Sequence, residues 1–315
     1  MTLVIADPIF QQHNTGSHPE TPKRIQDLTQ YLQQQGLAKN LIKAPKLDIY
    51  NMENLTAVHS PAQVKAVEDL AAAGGGYLDQ DTVVSPASFH VALRAAASGL
   101  AAAEAVVSGK TANALCLVRP PGHHANQNQS QGFCLLNNIA LTAEHCLKNL
   151  GMQRVAILDF DVHHGNGTQD IFYEREDVLF VSLHRWPFYP GSGSSSETGS
   201  NQGLGATLNF PIEASTTPQG YMSYLDRALD KIAQYKPDIL LLSAGFDAHK
   251  EDPIGSLGLC SQDFLQITNK ILVAADTICK GAVVSLLEGG YNIKALSESV
   301  SNHLRQLEGF KCTSS

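Results

Sequence analysis

Arg154-Val-Ala-Ile-Leu-Asp-Phe-Asp-Val-His-His-Gly-Asn-Gly167 is the stretch that decides the fold. Residues 155–158 are an apolar run of the kind that fills the middle of a parallel sheet, buried on both faces. Asp159, Asp161, His163, His164 and Asn166 then follow within eight residues. In an extended chain, residues two apart point to one side, so Asp159, Asp161 and His163 are predicted to share a face. Two carboxylates and an imidazole at the carboxyl end of a buried strand make an incipient metal site. A solvated loop would also tolerate these charges and the glycines at 165 and 167, but solvation gives no reason for this parity.

The same punctuation runs outward along the chain. Residues 3–6, 114–118, 178–183, 239–243 and 282–287 read as further apolar strands. Helices are predicted after Pro22, which suits a first turn, and over 62–73, about 86–107, 137–150, 220–235, 264–280 and 295–307. Strands alternating with helices imply a parallel sheet covered by helices on both faces. No linker, repeat or compositional break divides the chain, so residues 1–315 read as one domain. The Gly- and Ser-rich stretch at 190–205 is not a phosphate-binding loop, because no Gly-Lys-Ser/Thr follows it.

Composition narrows the class. With 43% apolar and 17% charged residues, the 315-residue chain is globular with a large core. A net charge of −8 without a Lys/Arg cluster argues against direct nucleic-acid binding, and is compatible with a cationic partner. The start lacks the basic and apolar regions of a signal peptide. No apolar run is expected to approach the length of about 18 residues that a membrane span needs. The six cysteines form no C-x-x-C pair and several sit in apolar patterns, as small buried hydrophobes of a reducing cytoplasm.

The polar motifs recur just past apolar strands: His123-His124, then Asp159/Asp161/His163, then Asp247, then Tyr291. In a parallel sheet all carboxyl ends lie along one edge, so these four motifs are predicted to converge in one crevice. Asp161, His163 and Asp247 would supply three ligands and leave coordination open, as a catalytic metal requires. Without thiolates the set suits zinc, and ferrous iron as well. His124 or His123 could move the proton between water and leaving amine, work worth about 10²–10⁴-fold. Tyr291, next to Gly289-Gly290, could donate to a developing oxyanion. Taken singly, the histidine pair reads as a polar turn, Asp247 as a helix N-cap and Tyr291 as a packing side chain. His145 and His303 read as surface or capping residues.

Together these motifs resemble the histone deacetylase superfamily. The matching segments are Arg119-Pro-Pro-Gly-His-His-Ala125, Gly132-Phe-Cys134, Asp159-Phe-Asp-Val-His-His-Gly-Asn-Gly167, Ser182-Leu-His184, Tyr189-Pro-Gly191, Ala244-Gly-Phe-Asp247 and Leu287-Glu-Gly-Gly-Tyr-Asn292. They run in family order from His18-Pro-Glu20 onward. The resemblance implies a single deacetylase domain over 1–315, a three-layer αβα fold of the arginase/deacetylase type around a mostly parallel eight-stranded sheet. It implies zinc on Asp161, His163 and Asp247, His124 as general base and acid, and His123 as an electrostatic partner oriented by Asp159. Asn166, where the class I branch has an aspartate, looks like the class II branch. Phe133 and Tyr189 would line a tunnel for an acetylated side chain with Gly132 and Gly290, although Tyr189 departs from the usual phenylalanine. Asp81 would bind the substrate backbone. Potassium would sit on backbone carbonyls around Asp159, Asp161, His163 and Leu183, with Ser182 helping.

The leading expectation is hydrolysis of N-acetyl-lysine amides in proteins or peptides. Small acetylated amines of the polyamine type are the alternative substrate, but selective relatives carry a glutamate where Asp252-Pro-Ile-Gly255 has Ile254, which offers no charge to an internal ammonium. A catalytically lapsed binding module is disfavoured because every metal ligand, both histidines and the tyrosine are retained. Arginase-like guanidine hydrolysis lacks its two-metal ligand set.

Overall fold

The structure, a computed structural model, describes residues 1–38, 41–45 and 55–311. Its elements alternate as read: β1 (Thr2–Ile5), α1 (Lys23–Gln34), β2 (Leu41–Ile42), α2 (Pro61–Ala72), β3 (Gly76–Tyr77), β4 (Val83–Val84), α3 (Ser88–Val107), β5 (Asn113–Cys116) and α4 (Asn138–Lys148). Then come β6 (Val155–Asp159), α5 (Asn166–Phe172), β7 (Val178–Arg185), β8 (Thr207–Ile212), α6 (Pro218–Tyr235), β9 (Ile239–Ala244), α7 (Ser261–Cys279), β10 (Val283–Leu287) and α8 (Ile293–Gly309). Eight strands form one sheet in the order β2-β1-β5-β10-β9-β6-β7-β8, and every pairing in it is parallel. Helices α3 and α4 pack together against β5, β10, β6 and β9, while α6, α7, α8 and α1 pack side by side on the other face. This is the three-layer αβα arrangement expected. β5, β6, β9 and β10 are buried at every residue, which is why their sequences are continuous apolar runs rather than alternations.

Some expectations need correction. β8 escaped notice because Pro211 interrupts it; it survives as a strand by lying at the sheet edge, where a missing amide donor costs nothing. The two-residue β2 at the opposite edge and the β3–β4 ribbon are too short to leave a pattern. α5 starts at Asn166 with a glycine next to it, residues that favour turns over helices. α3 is long and apolar enough to cross a membrane by length and composition, contrary to the expectation, yet 61% of its apolar window is buried inside the fold. Arg94 and Glu104 break its apolar run in sequence without breaking the helix. His303 is not a surface residue: it is fully buried on α8, between the hydroxyls of Thr268 (2.7 Å) and Ser285 (3.0 Å). His145 does lie nearer the surface, 3.0 Å from Glu104. Cys116, Cys134, Cys146 and Cys279 are buried and Cys260 is half-buried; Cys312 lies outside the described residues.

The core also holds charge. Arg119, just past β5, is fully buried and forks onto the Glu20 carboxylate (2.6 and 2.7 Å), while its remaining nitrogen donates to the carbonyls of Phe10 and His13. Arg24 on α1 shares the same carboxylate at 2.9 Å and donates to the carbonyls of Gly290 (2.6 Å) and Glu288 (2.6 Å). Burial opposes the charge on Glu20, but Arg119 and Arg24 hold its carboxyl below the usual carboxylate range. Removing one member strands the others, so Glu20→Gln is expected to cost about 3–5 kcal/mol in chemical denaturation. Because the folded pKa is depressed, this stabilisation is complete above the ordinary value of about 4.3 and is lost progressively as pH falls below it towards the depressed folded value. A wild type and variant of equal stability at pH 7 would refute it.

Candidate active site

β6 ends at Asp159, and the chain then curls instead of extending. Asp159 Oδ1 accepts the Asp161 amide (3.1 Å), and Asp161 Oδ1 accepts that of His163 (2.9 Å), so the side chains themselves close the turns. The expected shared face is thereby corrected. Asp161 and His163 meet each other, whereas Asp159 turns away to accept from His123 Nδ1 at 2.9 Å. β9 delivers the third group. Asp247 is fully buried and caps no helix; its Oδ1 accepts the Val162 amide at 2.9 Å.

The ligand atoms of Asp161, His163 and Asp247 lie within 4.8 Å of one another. His163 Nδ1 is 3.0 Å from Asp161 Oδ1 and 3.2 Å from Asp247 Oδ2, the latter a buried oxygen outside hydrogen-bonding geometry. Burial and the neighbouring Asp161 raise Asp247 to about 7. Two buried carboxylates pressed together beside an imidazole are stabilised by a cation, and this oxygen–nitrogen–oxygen set fits a divalent metal. Glycine makes the cradle possible: a Cβ at Gly289 would stand 2.1 Å from Asp247 Oδ2 and 2.6 Å from Asp161 Oδ2. A second close group, His123, Cys134 and Glu288, lies behind it. Burial keeps the Cys134 thiol protonated, and Glu288 Oε2 already accepts the amides of Gly122 (2.7 Å) and His123 (3.2 Å).

The two predicted histidines lie side by side with ring centroids 4.0 Å apart, and their partners separate them electrically. Burial disfavours the His123 cation, but the Asp159 and Asp161 carboxylates carry it up to about 10. Burial, and then the charges of His123 and His163, push His124 well below its usual value. Asn166 Oδ1 accepts from His124 Nδ1 at 2.8 Å, which leaves Nε2 with its lone pair. Burial keeps the Tyr291 hydroxyl protonated. The Tyr291 ring packs edge-on against Phe133 (5.7 Å) with the Arg24 guanidinium 4.9 Å from its centroid, and its amide donates to Asp252 Oδ2 at 2.7 Å.

These groups meet in a cavity of about 210 Å³. His124, His163 and Tyr291 line it, together with Gly132, Phe133, Tyr189 and Asp81. Gly290 does not line it; it stands behind the wall, its carbonyl held by Arg24. Ile254 and Phe188 also line the cavity. Phe188 was not foreseen. It stacks on His163 with centroids 5.3 Å apart and planes 15° off parallel, while Tyr189 meets His124 edge-on at 5.1 Å. An aromatic next to Tyr189 was the only available signal, since sequence does not say which neighbour turns inward. Asp252 was missed too: one carboxylate oxygen takes the amides of Ile254 and Gly255, the other those of Tyr291 and Asn292, tying two walls together. The residues expected around potassium are neighbours, Ser182 on β7 pairing with Asp159 on β6. His184 Nε2 donates to the Gly193 carbonyl, so its Nδ1 accepts from Ser182 (2.9 Å), whose oxygen keeps lone pairs free to ligate.

Residues 18–307 match the model of the histone deacetylase domain. A probable deacetylase of Archaeoglobus fulgidus is 36% identical over 93% of this chain and 81% of its own length. A histone deacetylase-like amidohydrolase of Pseudomonas aeruginosa is 37% identical over 87% of this chain and 73% of its own. Among solved structures, the HDA15 HD domain superposes with a TM-score of 0.91 at 33% identity, covering 98% of this chain and 89% of that one. With a family model spanning nearly the whole chain and the motif residues gathered around one cavity, the chain belongs to the histone deacetylase family, hydrolases of amide bonds.

Proposed function

We propose that this deacetylase is zinc-dependent and removes acetyl groups from N-acetyl-lysine side chains of proteins or peptides, with residues 1–315 acting as one domain. The observation that carries the reading is the joining of Asp161, His163 and Asp247 to two adjacent buried histidines, one held by Asp159 and the other by Asn166, at the end of an aromatic-walled cavity. Ile254 also lines the cavity, an apolar neighbour for a neutral aliphatic chain and a poor one for the internal ammonium of a polyamine.

Phe133, Phe188 and Tyr189 would flank the aliphatic chain and exclude water, with Asp81 at the rim to accept a substrate amide. Zinc, or ferrous iron, on Asp161, His163 and Asp247 would polarise the acetyl carbonyl and acidify water. His124 takes the water's proton at Nε2 while its Nδ1 proton stays on Asn166. The same proton then passes to the amine nitrogen as the C–N bond breaks, giving free amine and acetate. His123, made cationic by Asp159, adds positive charge beside the carbonyl without surrendering its proton. The Tyr291 hydroxyl donates to the developing oxyanion. Potassium would sit on the carbonyls around Asp159, Asp161, His163 and Leu183 with the Ser182 hydroxyl, neutralising charge beneath the site.

Chelation should abolish turnover of an acetyl-lysine peptide and zinc should restore it; full activity in a preparation shown metal-free by elemental analysis would sink the assignment. Tyr291→Phe should lower kcat by about 10²–10³-fold at unchanged metal content, the effect of losing one oxyanion donor. Near-native turnover would reduce the tyrosine to packing. The histidines should separate by pH. His124 works as the neutral base and its pKa is depressed, so kcat/KM should fall with acid only below the ordinary imidazole value of about 6.5. His124→Ala should remove that acidic limb and nearly all activity, whereas His123→Ala should leave slow turnover that keeps it. An acidic limb intact in His124→Ala, with His123→Ala inert, would reverse the roles.

A further inference from the structure

The cavity walls come from different strands, and one side chain outside the cavity joins two of them. Arg185 ends β7, and its amide donates to the Val162 carbonyl (2.9 Å) in the loop carrying Asp161 and His163. Its guanidinium carbon lies 4.3 Å from the centroid of the Phe188 ring, a cation–π contact on the ring that stacks against His163. The same guanidinium donates through Nη1 to the carbonyls of Gly255 (2.9 Å) and Ser256 (3.4 Å). Those residues follow Ile254 directly, and their backbone is seated on the metal-site loop. A Cβ at Gly255 would come within 2.4 Å of the Asp247 carbonyl oxygen, and the Ser256 amide donates to that oxygen at 2.7 Å. Ser256 holds a left-handed φ of 69°, a conformation that needs external support in a residue with a side chain.

We propose that Arg185 is a positioning residue that sets the width of the tunnel, clamping Phe188 to the loop bearing Ile254 so that the tunnel admits a slim, unbranched, uncharged chain. The inference rests on the reading above for the identity of that chain. A planar guanidinium can stack on a ring and donate in its own plane at once; an ammonium cannot match both directions. With the clamp removed, each wall moves independently, and a chain of this shape is gripped less tightly while the proton-transfer groups stay where they are.

Hydrogen exchange on the free protein tests the clamp without any substrate. Arg185→Met should speed exchange in residues 186–189 and in 255–257 by about tenfold, the scale of one lost hydrogen bond from a charged donor. Protection of β6 and α8 should stay at the wild-type level. With an acetyl-lysine peptide, KM should rise by about tenfold while kcat stays within about twofold and its pH profile does not move, the signature of weakened uniform binding. Arg185→Lys should recover part of the KM, and it carries the exchange measurement should the methionine variant not fold. In a Phe188→Leu background, Arg185→Met should add little, because the ring it acts through is gone. Wild-type exchange in either segment, an unchanged KM, or a kcat that falls about tenfold would overturn the proposal. Wild-type turnover of the peptide tests the functional reading on its own, and the exchange result stands whichever way that falls.

Discussion

Two fully buried guanidinium groups sharing one buried carboxylate are the constraint on which the site depends. Glu20 and Arg24 lie four residues apart and Arg119 comes from a segment far from both, and none could be buried alone at tolerable cost. Their remaining donors are spent on backbone carbonyls, and those that Arg24 holds belong to the loop carrying Tyr291. Arg24 grips Glu288 and Gly290 immediately before Tyr291, and Glu288 reaches back to the amides of Gly122 and His123. Arg119 lies four residues before His123 in the same loop. The result is a closed polar circuit in which the proton-transfer histidines and the oxyanion donor are registered against each other by charge that has nowhere else to go.

The same low dielectric makes the two histidines unlike. Both rings are buried and touch, yet one partner is a carboxylate and the other a neutral amide. Burial alone would discharge both imidazoles; Asp159 overrules it for His123, and that cation then pushes its neighbour further down. Exchanging the roles would require exchanging Asp159 and Asn166. The division of labour therefore follows from which neighbour each ring meets, and not from any difference in the rings.

Around this charged centre the cavity is aromatic and aliphatic. Phe133, Phe188 and Ile254 carry no charged or hydrogen-bonding side-chain group, while Asp81 is exposed at the rim. The polar chemistry waits at the cavity's closed end. Relatives in Archaeoglobus fulgidus and Pseudomonas aeruginosa share the family across most of this chain.

By itself the sequence determined the parallel sheet and the edge on which chemistry collects, because buried strands must be apolar throughout and the polar residues then fall where strands end. Asp161, His163, Asp247, the His123-His124 pair and Tyr291 were legible for that reason, and the family motifs sharpened their roles. Tertiary structure alone decided how they meet. The curl after Asp159 is made by side chains accepting amides two residues on, which strand parity does not anticipate. Phe188 rather than only Tyr189 faces the cavity, Gly290 stands behind it, and His303 is buried, because each outcome is set by a partner distant in sequence. Arg24 and Gly290 are 266 residues apart, and Arg185 and Gly255 are 70. Periodicity is a local signal and reports which residues leave water; which of them then face each other is settled by packing across the whole sheet.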